Sequence, residues 1–223
     1  SYQELKGVKP LNDVTLLVQS LQAHRSLSSS YLDASGSGAD LAIATASVQQ
    51  SFQALQPALM SMYPDSGMHE HFENSKNAFG KLVARVQGFG LTPSRSYQLH
   101  TAIIDELMSE VMPHIMEGAG LSYDPAAETY HLIIANYEGV PFVIEGVQNL
   151  KGIVNGYADS SLIELTGPLR DVHHNLEAAF EASRDERVQT QLNTLESLQA
   201  TLKNLITPIV TGSISQGDVA SIN

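Results

Sequence analysis

The chain contains no cysteine and no tryptophan. The first absence removes disulfides, thiolate metal sites and cysteine nucleophiles together, without fixing the redox compartment. Aromatic residues make up only 6% of the chain. Cations are scarce: 12 Lys and Arg stand against 24 Asp and Glu, a formal net charge of −12, and no basic run exists. A nucleic-acid backbone would find no counter-surface, so nucleic acid is not an expected partner, and anionic membrane surfaces are disfavoured for the same reason. No apolar run approaches the ~18 residues needed to span a bilayer. No secretory leader is visible either. The first residue is Ser1 rather than Met, so the expectation is a processed chain or a piece of a longer one, with flanking transmembrane helices lying outside it.

The enzyme signatures are missing as well. The sequence has no phosphate-binding G-x-x-x-x-G-K-[ST], no G-x-G-x-x-G, no G-x-S-x-G and no H-E-x-x-H. The reading is therefore not an enzyme, with no catalytic residues, no cofactor and no metal. His69 and His71 stand two apart in "MHEHFE", and His173 and His174 are adjacent. Neither pair shares a helix face, so surface histidines are the favoured reading over a metal site. Asp105 and Glu106 read as a solvated helix face rather than an acid/base dyad. "ETYH" (Glu128 to His131) is a single Glu-x-x-His, where a di-iron bundle needs more than one.

Hydrophobic residues are 43% of the chain, enough for a packed core. Breakers gather in clusters such as "DASGSGAD", "QGFGLTPS" and "EGAGLSYDP", separated by long segments of helical periodicity with no sustained period-2 alternation. Helices are expected over about 11–32, 39–62 with a kink at Pro57, and 70–87. A fourth opens at Thr92 and Pro93 and runs on through Ile115. A fifth opens at Asp124 and Pro125, runs to about Val154 and breaks near "EGVP". A sixth covers about 160–183 with an interruption at "TGP". The last carries the seam Val188, Leu192, Leu195, Leu198, Leu202 and Leu205 as far as Pro208. The predicted fold is all-α, with long antiparallel helices forming a four-helix-type bundle, or two bundles stacked end to end. It is read as one helical domain over 1–223, with sub-modules about 1–90 and 91–210 and a loose tail over 211–223.

Two stripes carry polar breaks. Leu11, Val14, Val18, Leu21, Arg25, Ser28 and Leu32 fall on one helical face, with His24 and Tyr31 flanking it. A guanidinium facing a bundle interior needs partners, and its planar fork suits a carboxylate or small oxyanion. Pairing with a glutamate of the same chain, an outward-reaching stem or a register-setting place in a dimer seam would each satisfy it too. The second stripe reads Ile133, Tyr137, Val140, Ile144, Val147, Lys151 and Val154, again with one cation and a tyrosine. Candidate ligand-binding residues are Arg25, His24, Ser28 and Tyr31, and then Lys151, Tyr137 and Tyr130. Were both cations to face one cavity, an anion would be its natural occupant.

Three segments carry a resemblance. "LQAHRSLSSSYL" (Leu21 to Leu32) resembles an "LQ-x-HRGLS-x-x-x-L" element of the extracytoplasmic sensor regions of bacterial methyl-accepting chemotaxis receptors and sensor kinases. "GLSYDPAAETYHL" (Gly120 to Leu132) is similar to an "SGL-x-LDP-x-x-x-[ST]Y-x-L" element that follows later in such regions. "VPFVIEGVQNLKGIVNG" (Val140 to Gly156) resembles an "LP-x-L-x-E-x-L-x-x-LRG-x-G" segment after that. The first element is also similar to nitrate/nitrite-sensing helical domains. The resemblance spans about residues 17–156. It departs at Ser26, where those elements usually have Gly, and at Lys151, where they usually have Arg, so an arginine fork for planar anions is incomplete.

The resemblance implies a periplasmic sensory input domain of an inner-membrane chemoreceptor or related signalling protein. Such a domain binds a small molecule, here a carboxylate or small oxyanion, and passes on a helix displacement as a homodimer. The alternative is a ligand-free structural or dimerisation module, or a docking site for a separate binding protein.

Overall fold

A computed structural model describes residues 2–64, 67–121, 126–159 and 166–210. The described residues are helical, with no strand among them. Helix α1 spans Tyr2–Leu32, α2 Gly38–Met62, α3 Met68–Gln87 and α4 Pro93–Glu106. A π-helical turn, Leu107–Val111, leads into α5, Met112–Gly118. The later elements are α6 (Ala127–Ile134), a second π turn (Ala135–Gly139), α7 (Val140–Val154), α8 (Thr166–Ser183) and α9 (Glu186–Val210). The chain divides into two compact units, Ser1–Leu121 and Ser122–Asn223. The sub-module boundary expected near residue 90 falls instead inside the first unit, because α4 packs against α1 and α3.

In the first unit α1 neighbours α2 and α4, and α3 neighbours the same two, so the four close into a bundle. Local chemistry sets the starts. The Ser37 hydroxyl accepts from the Asp40 amide at 3.3 Å to cap α2. Thr92 accepts from the Arg95 amide at 3.1 Å, with Pro93 at the first helical position, as the sequence predicts for α4. The α1 stripe faces inward as expected: Leu11, Val14, Val18, Leu21, Arg25 and Ser28 are all buried. Phe52 packs edge-on to Phe72 at 5.5 Å and tilted against Phe79 at 6.0 Å, linking α2 to α3 in the core. The end of α5 comes so near α1 that a Cβ on Gly7 would lie 2.2 Å from the Ala119 Cβ, so only glycine fits there.

In the second unit α8 packs against α6, the second π turn, α7 and α9. The core is aliphatic: Ala135, Val143, Leu150, Leu169, Val172, Leu176 and Ala179 meet Val188, Leu192, Leu195 and Leu202 of α9. The predicted α9 seam is thus the face that packs. Its helix runs through Pro208 to Val210 rather than ending at that proline. The tail 211–223, and the proposed start at Asp124 and Pro125, lie outside the described residues.

Pro57 lies inside α2, which spans Gly38–Met62 much as expected. Within the described residues α8 covers Thr166–Ser183, so Thr166, Gly167 and Pro168 are themselves helical; residues 160–165 of the expected helix lie outside the described residues. The break expected at "EGVP" is a π turn, and the same device recurs earlier. Each π turn ends just before an X-Pro step, Met112-Pro113 and Val140-Pro141. Proline neither donates to the carbonyl four residues back nor clears it sterically, and a turn widened by one residue absorbs both defects without breaking the helix.

Candidate functional site

The polar break of α1 is buried. His24 and Arg25 are each 1% exposed, and Ser28 and Ser29 are fully covered. The His24 ring touches all three other helices of its bundle. Its Nε2 lies 2.9 Å from Thr45 Oγ1 of α2, its Nδ1 lies 2.7 Å from His100 Nε2 of α4, and its ring packs edge-on to Phe79 of α3 at 4.9 Å.

Counting protons assigns the tautomers. A carbonyl only accepts, so His100 Nδ1–H donates to the Ser96 carbonyl at 2.7 Å. Neutral His100 then carries its lone pair on Nε2 and accepts from His24 Nδ1–H. His24 Nε2 accepts in turn from the Thr45 hydroxyl. One neutral chain, Thr45 to His24 to His100 to Ser96, satisfies every ring nitrogen. It draws the single Thr45 proton away from the Leu41 carbonyl, 2.8 Å off. Ser28 Oγ, 3.2 Å from His24 Nδ1, shares that N–H. Burial pushes the His24 imidazole down to about 4. Burial, then the repulsion from His24 once it is charged and from the Arg25 guanidinium, pushes His100 down to about 3 despite its bond to the Ser96 carbonyl. Both rings are therefore neutral near pH 7.

Arg25 lies beside this chain. Its Nη1 donates to Thr101 Oγ1 at 2.8 Å, and Thr101 donates on to the Tyr97 carbonyl at 3.0 Å. The guanidinium carbon sits 4.3 Å from the centroid of the Tyr97 ring, a cation–π geometry. Ser29 donates to the Pro93 carbonyl at 3.1 Å, tying α1 to the start of α4. The result is a latch in which α1 is tied to α2 and α4 by directional hydrogen bonds and to α3 by ring packing.

The structure brings together His24, Arg25 and Ser28 of the predicted set. Tyr31 sits apart from them, half-buried and stacked on Phe89 at 5.0 Å. Lys151, Tyr137 and Tyr130 belong to the second unit and are half-buried. The stripe they define is only partly the packed one: Val140 and Val147 pack against the core, Ile133, Tyr137, Ile144, Lys151 and Val154 are half-buried, and the fully buried positions are Ala135, Gly139, Val143, Gly146 and Leu150. Small residues carry that face, and a Cβ on Gly139 would come 2.4 Å from Val172 Cγ2. Tyr137 is held above its usual phenol range by burial. Buried Glu145 and Asn149 of α7 were not singled out by the sequence.

Elsewhere several of the histidines have protein partners. His69 Nε2 donates to the Tyr63 carbonyl at 2.5 Å, and His131 Nδ1 donates to Asn175 Oδ1 at 2.9 Å. His71 Nδ1 lies 2.6 Å from Glu106 Oε1, and that hydrogen bond, helped by nearby Glu110 and Glu70, raises the His71 pKa. Glu106 is therefore engaged rather than merely solvated. The Glu128 side chain lies outside the described residues. Among the described residues no group of three or more His, Asp or Glu is placed to hold a metal, and no helix is long and apolar enough to cross a membrane.

The partners of His24 and Arg25, namely Thr45, Ser96, His100 and Thr101, were missed by sequence reasoning. The available signal was "SYQLHT", where Ser96 and His100 stand one turn apart on an otherwise apolar face. No protein-family model, curated protein or solved structure matches the chain.

Proposed function

We propose that the chain is an extracytoplasmic sensory input domain of a transmembrane signalling protein of the bacterial chemoreceptor type, acting as a symmetric dimer on the periplasmic side. The observation that carries this reading is the latch at His24 and Arg25. It lies in the segment that resembles the receptor element, and it ties α1 to α2 and α4 through hydrogen bonds that exist in discrete patterns. A ligand drives a conformational change only by binding two arrangements differently, and a core with alternative pairings supplies two arrangements. Sliding α1 by about 1–2 Å would break the His24 bonds to Thr45 and His100 together. The ligand is a small anion, a carboxylate or oxyanion, with Arg25 and its neighbours as the group that responds to it.

Calorimetric titration of the full chain against small carboxylates, nitrate and amines tests this. One anion is expected to bind saturably and raise the melting temperature, and Arg25→Ala is expected to weaken it. If the folded Arg25→Ala variant binds with unchanged affinity, Arg25 has no part in ligand recognition. The second reading is a ligand-free structural or docking module. What favours it is that Thr101 and Tyr97 already engage Arg25. It forecasts that nothing in the panel raises the melting temperature.

A further inference from the structure

A cleft of about 430 Å³ runs along the outer edge of the α3–α4 pair. Its lining is largely apolar, with buried Leu82 and Ile103 beneath and exposed Ala78 and Ala102 at the rim. On the α3 side its lining extends from Asn74 to Arg85, about 16 Å along the axis at 1.5 Å per residue. The shape is therefore elongated, and its two ends differ in charge.

Lys81 and Arg85, one turn apart, line one end. Long side chains on a helix lean toward its N-terminus, which carries both heads over the cleft rather than past it. Among the described residues neither side chain makes an ion pair or hydrogen bond, in a chain with twice as many acids as bases. The other end holds Glu106, fixed by His71 at 2.6 Å, together with Ser75. Ser75 is 2% exposed, and its hydroxyl is buried without a hydrogen-bond partner. A buried hydroxyl left without a partner is unfavourable. One χ1 rotation re-aims it, so a ligand atom in the cleft could satisfy it. Arg85, in the last turn of α3, also complements the helix dipole, which would account for that cation alone. That leaves the cleft and the orphaned Ser75 hydroxyl unexplained.

We infer that this cleft binds an elongated monocarboxylate with an apolar middle and a hydroxyl at its far end. The carboxylate sits against Lys81 and Arg85, the chain lies on Ala78, Leu82 and Ile103, and the distal hydroxyl pairs with Ser75 and Glu106. The inference rests on the sensory reading only in that it names the ligand class and place; the cleft is defined by its own geometry.

The test is titration of the full chain with 8-hydroxyoctanoate, octanoate and 1,8-octanediol, by calorimetry and thermal shift. The expected order is 8-hydroxyoctanoate tightest, then octanoate, with the diol at least about tenfold weaker than the hydroxy acid. Lys81→Gln/Arg85→Gln is expected to weaken both acids at least about tenfold, and Ser75→Ala to remove the advantage of the hydroxyl. Ala102→Trp, on the exposed rim, fills the cleft and abolishes binding while circular dichroism reports an unchanged fold. Saturable binding that none of these variants affects, or no saturable binding at about 10 mM, overturns the inference. If 8-hydroxyoctanoate binds the cleft but a receptor carrying the domain gives no change in output, the sensory reading fails and the cleft stands. If another anion binds in an Arg25-dependent way and the cleft variants are silent, the reverse holds.

Discussion

The two units close on apolar cores that differ in polar content: among the described residues the second buries Glu145 and Asn149, and the first buries His24, Arg25, Ser28, Thr45, His100 and Thr101 among others. The second unit closes on an aliphatic cluster in which Leu150, Val172 and Leu176 meet Val188 and Leu192. The first unit buries two imidazoles, a guanidinium, serines and threonines in the middle of its bundle. An aliphatic core is non-directional and tolerates repacking. A polar core is costly unless every group is satisfied, and when satisfied it fixes one arrangement of the helices. The first unit therefore carries the directional, arrangement-specific contact, and the second packs mainly through aliphatic side chains.

Acid should separate the two most sharply. His24 and His100 fold neutral with depressed pKa values of about 4 and about 3, against about 6.5 when unfolded. Below pH 6.5 the unfolded chain binds protons that the folded one refuses. Their contribution is thus fully present above pH 6.5 and is lost as pH falls toward 4 and 3. At about 1.4 kcal/mol per pH unit the two shifts together correspond to a loss on the order of 8 kcal/mol once both rings are charged. Amide exchange across that range should show the first unit opening while the second holds, and a His24→Leu/His100→Leu variant should flatten the dependence.

The second unit should answer to volume instead. Leu176→Ala is expected to cost about 2–5 kcal/mol in denaturant unfolding, equally at pH 7 and pH 5. Gly139→Ala, whose new methyl would meet Val172, is expected to cost about 1–3 kcal/mol, most of it restored by adding Val172→Ala in a double-mutant cycle. A loss that Val172→Ala leaves untouched would place the strain in the π turn itself. The smallest effect should come from the exposed Lys9–Asp13 pair at 2.6 Å: Asp13→Asn should change stability by less than about 0.5 kcal/mol, and less still in high salt.

What could be read in advance follows the same division. The α1 stripe was legible because large aliphatics mark it and Arg25 and Ser28 fall in phase with them. The α7 stripe was not, since Ala135, Gly139 and Gly146 carry little hydrophobic signal and the π turn shifts the phase between Ala135 and Gly139. Pro113 and Pro141 announced a disturbance but not its form, because a kink, a break and a π turn share one sequence cause. The latch was half legible: an inward arginine demands partners, yet Thr101 lies 76 residues away, and no local rule spans that distance. Lys81 and Arg85 went unnoticed because they stand on an exposed edge, where cations are ordinary.

The central claim is that a neutral, directional chain through His24 and His100 holds the first bundle. Long-range nitrogen–proton correlation of the imidazoles at pH 6 tests it most directly. The account predicts two neutral rings, each protonated on Nδ1, that do not titrate until the pH approaches 4. Either ring titrating near 6.5 in the folded protein, or a His24 ring protonated on Nε2 alone, would contradict it.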